Sequence, residues 1–373
     1  MHFRNIMFGK VLASSVAAFL ATTSLHAIPK GPCDQKSVDM CCDEPKPGPF
    51  AFAFPTDMGL SCPRDFYVHV DGLAFQAKQD GMEFAIQDGN GVGGPLTHGR
   101  VEGFSNDHSD YDYNFGARFG MGFFLDHDNW NLDFNWTWLN ITNYKHANAT
   151  NSDGVILPMW LTGSSVGGAA YGTRSSAVWD ASYNTIDARL AKPYHVSRYL
   201  IFNPHFGVRF ASIDQHFSVD YGGNATATDR SIAHGDNDFW GVGARAGIDT
   251  DWVVGKGWSL FGNIATSIIF GKFEIDQSLA VPDDVDEEGN IDLQYDFYQN
   301  APNMEIAIGI GWGRYFDKNK YHVALRAAYE FHEWWDQLNL RRFWHSSDDY
   351  SNDVVSRGNL TLNGFSLKLQ LDI

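Results

Sequence analysis

Four arginines, Arg118, Arg209, Arg245 and Arg326, stand near the middle of long segments that alternate apolar and polar residues. A guanidinium keeps its charge in a protein and offers five donors in a fixed fork. Gathered at one depth, such groups form a cationic constriction that favours anions. Facing lipid there, each would cost roughly 2–4 kcal/mol, so a polar interior is expected for them. Asp112, Asp133, Asp187, Glu305 and Glu330 share their phase and are expected nearer the strand ends. In the competing arrangement these carboxylates pair with the arginines and the charges merely fill a narrow interior. Arg118, Arg209, Arg245, Arg326, Asp133, Asp187 and Glu330 form the candidate site.

Other chemistry has little support. Gly163-Ser164-Ser165-Val166-Gly167 fits the nucleophile-elbow spacing, but it lies in a Gly/Ser/Ala stretch rather than between a strand and a helix. Gly89-x-Gly91-x-x-Gly94 is followed by Pro95 where a dinucleotide fold would begin its helix. Asp284-x-Asp286-x-Glu288-Gly289 opens like a calcium loop, yet Tyr295 stands where the bidentate Glu belongs. His332-Glu333 is not followed by the second histidine of a zinc helix. No Ser/His pair on adjacent strands can be identified. No enzyme activity, cofactor or metal is therefore expected.

The elements that must position the arginines are strands. From Tyr111 to Leu125 the odd residues are apolar: Tyr111, Tyr113, Phe115, Ala117, Phe119, Met121, Phe123 and Leu125. The even residues run Asp112, Asn114, Gly116, Arg118, Gly120, Gly122, then Phe124. Trp130, Leu132, Phe134, Trp136 and Trp138 repeat the pattern against Asn131, Asp133, Asn135 and Thr137. Period two over such lengths means strands with one apolar and one polar face. The expected strands are Asp65–Gln87 (with a bend at Asp80-Gly81), Tyr111–Leu125, Trp130–Thr142, Trp179–Lys192 and Arg198–Phe217. They continue as Asp238–Val253, Gly257–Ile275, Pro302–Phe316, Lys320–Asp336 and Gly358–Ile373. These segments pass ten residues, beyond the usual five or six of a soluble sandwich.

Connections alternate between short ones (126–129, 193–197, 254–256, 317–319) and long ones (88–110, 143–178, 218–237, 276–301, 337–357). Transmembrane barrels have short periplasmic turns and long external loops. The fold expected is an all-β, antiparallel up-and-down transmembrane barrel of 10–12 strands, with up to 16 if the long loops hide hairpins. Val155–Leu161 and Ala169–Val178 are the candidates for such a hairpin.

The N-terminal region agrees with export. Arg4 and Lys10 precede the apolar run Val11–Leu20, and Leu25-His26-Ala27 offers a small-residue cleavage site, so residues 1–27 are expected to be a signal peptide. No later apolar run approaches the roughly 18 residues of a spanning helix. The net charge of −18 opposes a nucleic-acid partner. Residues 28–64 hold seven of the thirteen prolines and all four cysteines, Cys33, Cys41, Cys42 and Cys62. They are expected to form a periplasmic tail, with residues 65–373 as the barrel. Four cysteines allow three connectivities, and local staples, bridges to another copy or bridges to envelope proteins all stay open.

Phe365, Leu367, Leu369, Leu371 and Ile373 alternate to the last residue. Gly364-x-x-Leu367-x-Leu369 resembles the terminal signal read by the barrel-assembly machinery, although an aromatic usually ends it. Gly116-x-Arg118-x-Gly120, Trp136-Thr137-Trp138, Pro204-His205-x-Gly207-x-Arg209 and Trp240-Gly241-x-Gly243-x-Arg245 resemble recurring blocks of the Legionella-type and chlamydial-type major outer membrane proteins. Tyr329-Glu330 before Trp334-Trp335 fits the same order, and the likeness runs from about Phe66 to Ile373. The resemblance implies a pore-forming protein of the bacterial outer membrane, passing small hydrophilic solutes and ions. The alternative is a structural or adhesive surface barrel with a plugged lumen, cross-linked through its cysteines. Lipid is the expected surroundings, and a homo-oligomer is a further expected partner.

Overall fold

The structure is a computed structural model that describes residues 54–55, 60, 65–88, 99–104, 112–125, 130–149, 154–160, 172–223, 230–280, 291–345, 351–355 and 357–373. Residues 1–27, expected to be a signal peptide, the cysteines, and the nucleophile-elbow, dinucleotide and calcium-loop motifs lie outside the described residues. Ten long strands form the barrel: β1 Phe66–Gln79, β2 Asn114–Phe124, β3 Asn131–Asn148, β4 Arg174–Ala191 and β5 Leu200–Gly222. They continue as β6 Arg230–Gly255, β7 Trp258–Ala280, β8 Ile291–Phe316, β9 Tyr321–Leu338 and β10 Gly358–Asp372. Each pairs antiparallel with its chain neighbours, and β10 closes on β1.

Closure can be followed residue by residue. Tyr67 pairs with Gly122, then Asp133, Arg189, Gly207, Arg245, Ser267, Asn303, Trp334, Leu360 and finally Gln79. The circuit returns to β1 twelve residues beyond its start. That shear for ten strands implies a tilt of about 40° and roughly 20 Å between opposite backbones. Side chains from both walls can fill such a bore.

The ten expected segments are the ten barrel strands, so the larger counts fall away. Asp65–Gln87 divides at Asp80-Gly81, and Glu83–Asp88 joins a small separate sheet with Arg100–Gly103 and Val155–Pro158. Val155–Pro158 therefore adds no strand to the barrel. Several barrel strands outrun their expected bounds at the long-connection end, β5 to Gly222 and β8 back to Ile291. Phe54–Pro55 pairs with Tyr194–His195, which tethers the N-terminal segment at the short-connection end.

Each strand changes character along its length. On β3 the outward residues Phe134, Trp136 and Trp138 are exposed and apolar, while inward Asn131, Asp133, Asn135 and Thr137 are buried and polar. Beyond them, Asn140 and Thr142 face outward, and Leu139 and Ile141 are buried inside. The lower section is a membrane barrel with a polar lumen. The upper section is built like a soluble protein, with polar outer walls and an apolar core. Every barrel strand except β2 contributes to that core, with Phe75, Trp179, Phe217, Phe239, Phe273 and Trp334 among its members. On β6, Trp240 and Trp252 are exposed at the two edges of the apolar band, twelve residues or about 30 Å apart along the axis at this tilt, a height suited to an aromatic girdle.

Candidate functional site

Inside the membrane section, inward side chains must be polar wherever water or counter-charges reach them, and the wall places them by period two. Arg118 on β2 anchors the first group. Its Nη2 donates to Glu330 Oε2 at 2.9 Å, its Nη1 to Asp71 Oδ2 at 3.1 Å, and its Nε to Thr137 Oγ1 at 3.2 Å. His69 Nδ1 lies 2.8 Å from the other Asp71 oxygen, and its Nε2 lies 2.8 Å from Asn135 Oδ1. Four strands are joined through this cluster.

A second group is centred on Arg209 of β5. Its Nε and Nη2 both donate to Asp187 at 2.6 Å, the bidentate geometry of a strong pair. Its Nη1 reaches Asn303 Oδ1 at 2.8 Å and also bonds Glu305. Arg245 Nη2 donates to the other Glu305 oxygen at 2.6 Å. His332 links the two groups, with Nε2 3.0 Å from Glu330 and Nδ1 3.4 Å from Glu305. The result is a continuous ionic layer from β1 to β6 across the bore.

Arg326 does not join it. It lies toward the short-connection end, bonded to Asp251 at 2.6 Å and placed over the Phe261 ring at 4.9 Å. Asp133 also pairs elsewhere, with Arg189 through Nε at 2.8 Å and Nη2 at 2.9 Å. The expectation that the acids sit toward strand ends is corrected for Asp187, Glu305 and Glu330, which lie beside the arginines. Desolvation drives this: an unpaired guanidinium in a narrow bore costs several kcal/mol, so a carboxylate must share its depth. Asp112 is exposed, just before β2. Sequence reasoning passed over Arg189, Lys368, Asp71 and His69, although all carry the inward phase; the weight given to mid-strand arginines hid them.

Above the ionic layer the apolar core takes over. Tyr183 on β4 and Trp334 on β9 touch edge to face, ring centroids 5.9 Å apart, although their strands are five apart in a ten-strand ring. The described parts of the connecting segments pack onto the outer end of this core. Phe104 packs on Trp179 and Phe217 at 5.8 and 6.2 Å, Tyr221 donates to the Phe84 carbonyl at 2.6 Å, and Trp160 Nε1 to the Glu83 carbonyl at 2.8 Å. Arg342 donates to the Gly81 carbonyl at 2.6 Å and the Glu83 carboxylate at 2.7 Å. Burial alone would raise the Glu83 carboxyl, but the hydrogen bond and charge of Arg342 hold it below its usual range.

On the outer wall above the membrane band, carboxylates face one another across strands. Asp214 pairs in register with Asp238, Asp238 with Glu274, and His216 with Asp236. Burial, then the charges of Asp214 and Asp236, push the Asp238 carboxyl up to about 7. His216 is raised by its hydrogen bond to Asp236.

Known proteins were compared with this geometry. The sequence pattern of one family, described as Legionella pneumophila major outer membrane protein precursor, matches residues 62–373. No curated protein matches the chain. Among solved structures, the outer membrane protease OmpT from Escherichia coli is 10% identical, with 85% of this chain and 99% of that one covered at a TM-score of 0.40. A Pseudomonas aeruginosa FadL homologue is 8% identical, covering 88% and 98% at a TM-score of 0.24. Scores this low carry no argument about activity.

Proposed function

This chain belongs to the Legionella pneumophila major outer membrane protein family, and from that premise we propose an outer-membrane barrel that is sealed to free diffusion and carries a rigid, acidic head above the membrane. Its role is structural display at the surface, with the long connections outward and the short turns in the periplasm. The contact between Tyr183 and Trp334 across the barrel diameter carries this reading. Wall side chains themselves fill the bore there, so withdrawal of the connecting segments leaves it filled. Trp179, Phe239 and Phe273 are buried at the same section, and exposing a large apolar side chain costs roughly 1.5–3 kcal/mol. An opening that exposed several of them would consume a domain's whole stability of about 5–15 kcal/mol.

A second reading is the passive pore for small hydrophilic solutes and ions that the family resemblance implies. The polar lumen of the membrane section favours it, because a barrel needed only as an anchor has no use for a water-reached cavity of about 160 Å³. Planar-bilayer recording from the refolded protein separates the two. The sealed barrel gives no stable conductance steps at any voltage that leaves the bilayer intact, and reproducible steps would replace it with the pore.

A further inference from the structure

The lumen cavity is roofed by Phe75, Leu139 and Tyr183 and opens toward the short-connection end. Side-chain exposure rises in that direction, from 3% at Arg209 to 29% at Arg326. Six cationic side chains and five carboxylates line it, and two further carboxylates, Asp133 and Asp251, are taken up by Arg189 and Arg326. Two of the six are incompletely used. Arg245 is 7% exposed, spends only Nη2 on Glu305, and its Nε and Nη1 make no hydrogen bond to protein. Glu305 is shared among Arg245, Arg209 and His332, so it cannot serve Arg245 alone. Lys368, on β10, has no carboxylate within the 4.0 Å that defines the other lumen pairs among the described residues.

Beside Arg245, two glycines let neighbouring groups pack closely on the wall, the Ala188 carbonyl at Gly207 and the His205 ring at Gly247. Gly207 pairs with Arg245 across β5 and β6, and Gly247 follows two residues on. His205 packs over Gly247 at 4% exposure, with its Nδ1 3.7 Å from Asp249 Oδ2. Buried donors without partners cost about 1–3 kcal/mol each, more when charged. Leaving two guanidinium nitrogens and an ammonium short of carboxylates around one cavity favours an acceptor that arrives from outside.

We propose that this cavity is a binding site for a small oxyanion, a carboxylate or phosphate of periplasmic origin, held by the free nitrogens of Arg245 and by Lys368. The site is independent of whether the barrel conducts, since entry is from the short-connection end. Phosphate suits it better than chloride, because several oxygens can serve separated donors at once.

Thermal unfolding of the refolded full chain in detergent, titrated with inorganic phosphate against chloride at fixed ionic strength, tests it. Phosphate should raise the transition temperature along a saturating curve, and Lys368→Met should shift the midpoint at least tenfold upward. Among the described residues Lys368 has no ion pair to break, so this variant leaves none of their carboxylates stranded and should fold. Arg245→Met should abolish saturation; if it fails to fold, Lys368→Glu, which reverses the charge, replaces it. Equal, non-saturating rises in wild type and Lys368→Met would overturn the site, leaving only water in the cavity.

Discussion

Trp138 and Leu139 are adjacent in sequence, yet Trp138 is exposed on the lipid-facing wall and Leu139 is fully buried inside the bore. Both are apolar, and between them the solvent on each side of the wall exchanges places. The same step recurs at Phe239-Trp240, where the inner residue is buried and the outer one exposed, and at Phe297-Tyr298, which stand on opposite faces of β8. Such pairs mark where the membrane ends and the head begins.

Trp334→Ala should cost about 3–5 kcal/mol of stability, the usual range for a fully buried Trp. It should nonetheless leave the barrel non-conducting. The hole it makes is lined by Tyr183 and apolar neighbours, and apolar cavities of that size stay dry. Urea unfolding in detergent measures the first effect and bilayer recording the second.

Arg118 was expected to set ion selectivity, and the structure gives it three partners. Arg118→Met strands the carboxylates of Asp71 and Glu330 in the bore and should destabilise the barrel by about 3–5 kcal/mol. Adding Glu330→Leu removes one stranded charge and should recover part of the loss. Denaturant midpoints of the two variants check this; equal midpoints would mean that the two residues do not interact.

Strand number, order and the alternation of short and long connections were legible because lipid outside and polar groups inside impose an unbroken period of two. The inward phase of Arg118, Arg209, Arg245 and Arg326 was legible for the same reason. The upper strands were not. At Trp138-Leu139 the apolar face slips by one residue, which in sequence looks like the end of a strand, so Asn143–Asn148 reads as loop although it is strand, and Arg174–Val178, part of the candidate extra hairpin, is instead the start of β4. The ionic partners were also hidden. Arg118 and Glu330 are 212 residues apart and meet only because a narrow barrel brings β2 and β9 within reach.

The outer wall should make stability fall as pH rises through neutrality. Asp238 is raised to about 7 in the folded protein, by burial first and by Asp214 and Asp236 next, against about 3.9 when unfolded. Between those values the folded state holds a proton that the unfolded state has released, so stability declines with rising pH. His216 is raised as well, and its contribution is present below its unfolded value and lost as pH climbs through the folded one, the same direction. Asp238→Asn should flatten the fall in transition temperature between pH 5 and pH 8, by an amount on the order of 1–2 kcal/mol once solvent screening is allowed for. Thermal scans at constant ionic strength read it directly, and an unchanged slope would mean that the carboxylates do not repel.

The membrane boundary on β6 can be tested with two arginines on the same outward face. Ala246 is exposed midway between Trp240 and Trp252, while His234 is exposed above Trp240. Ala246→Arg puts a guanidinium into hydrocarbon, at a cost of roughly 2–4 kcal/mol. His234→Arg puts one into water beside the acidic wall, where surface changes stay within about 0.5 kcal/mol. Both residues face away from the lumen, so neither change alters the ionic layer or the core, and the surrounding solvent is the main difference between them. Refolding equilibria in lipid vesicles should therefore separate the variants by at least 1.5 kcal/mol, a difference near tenfold or more in the folding constant. Equal costs would place lipid at both positions or at neither, and the division of each strand into a membrane section and a head would fail.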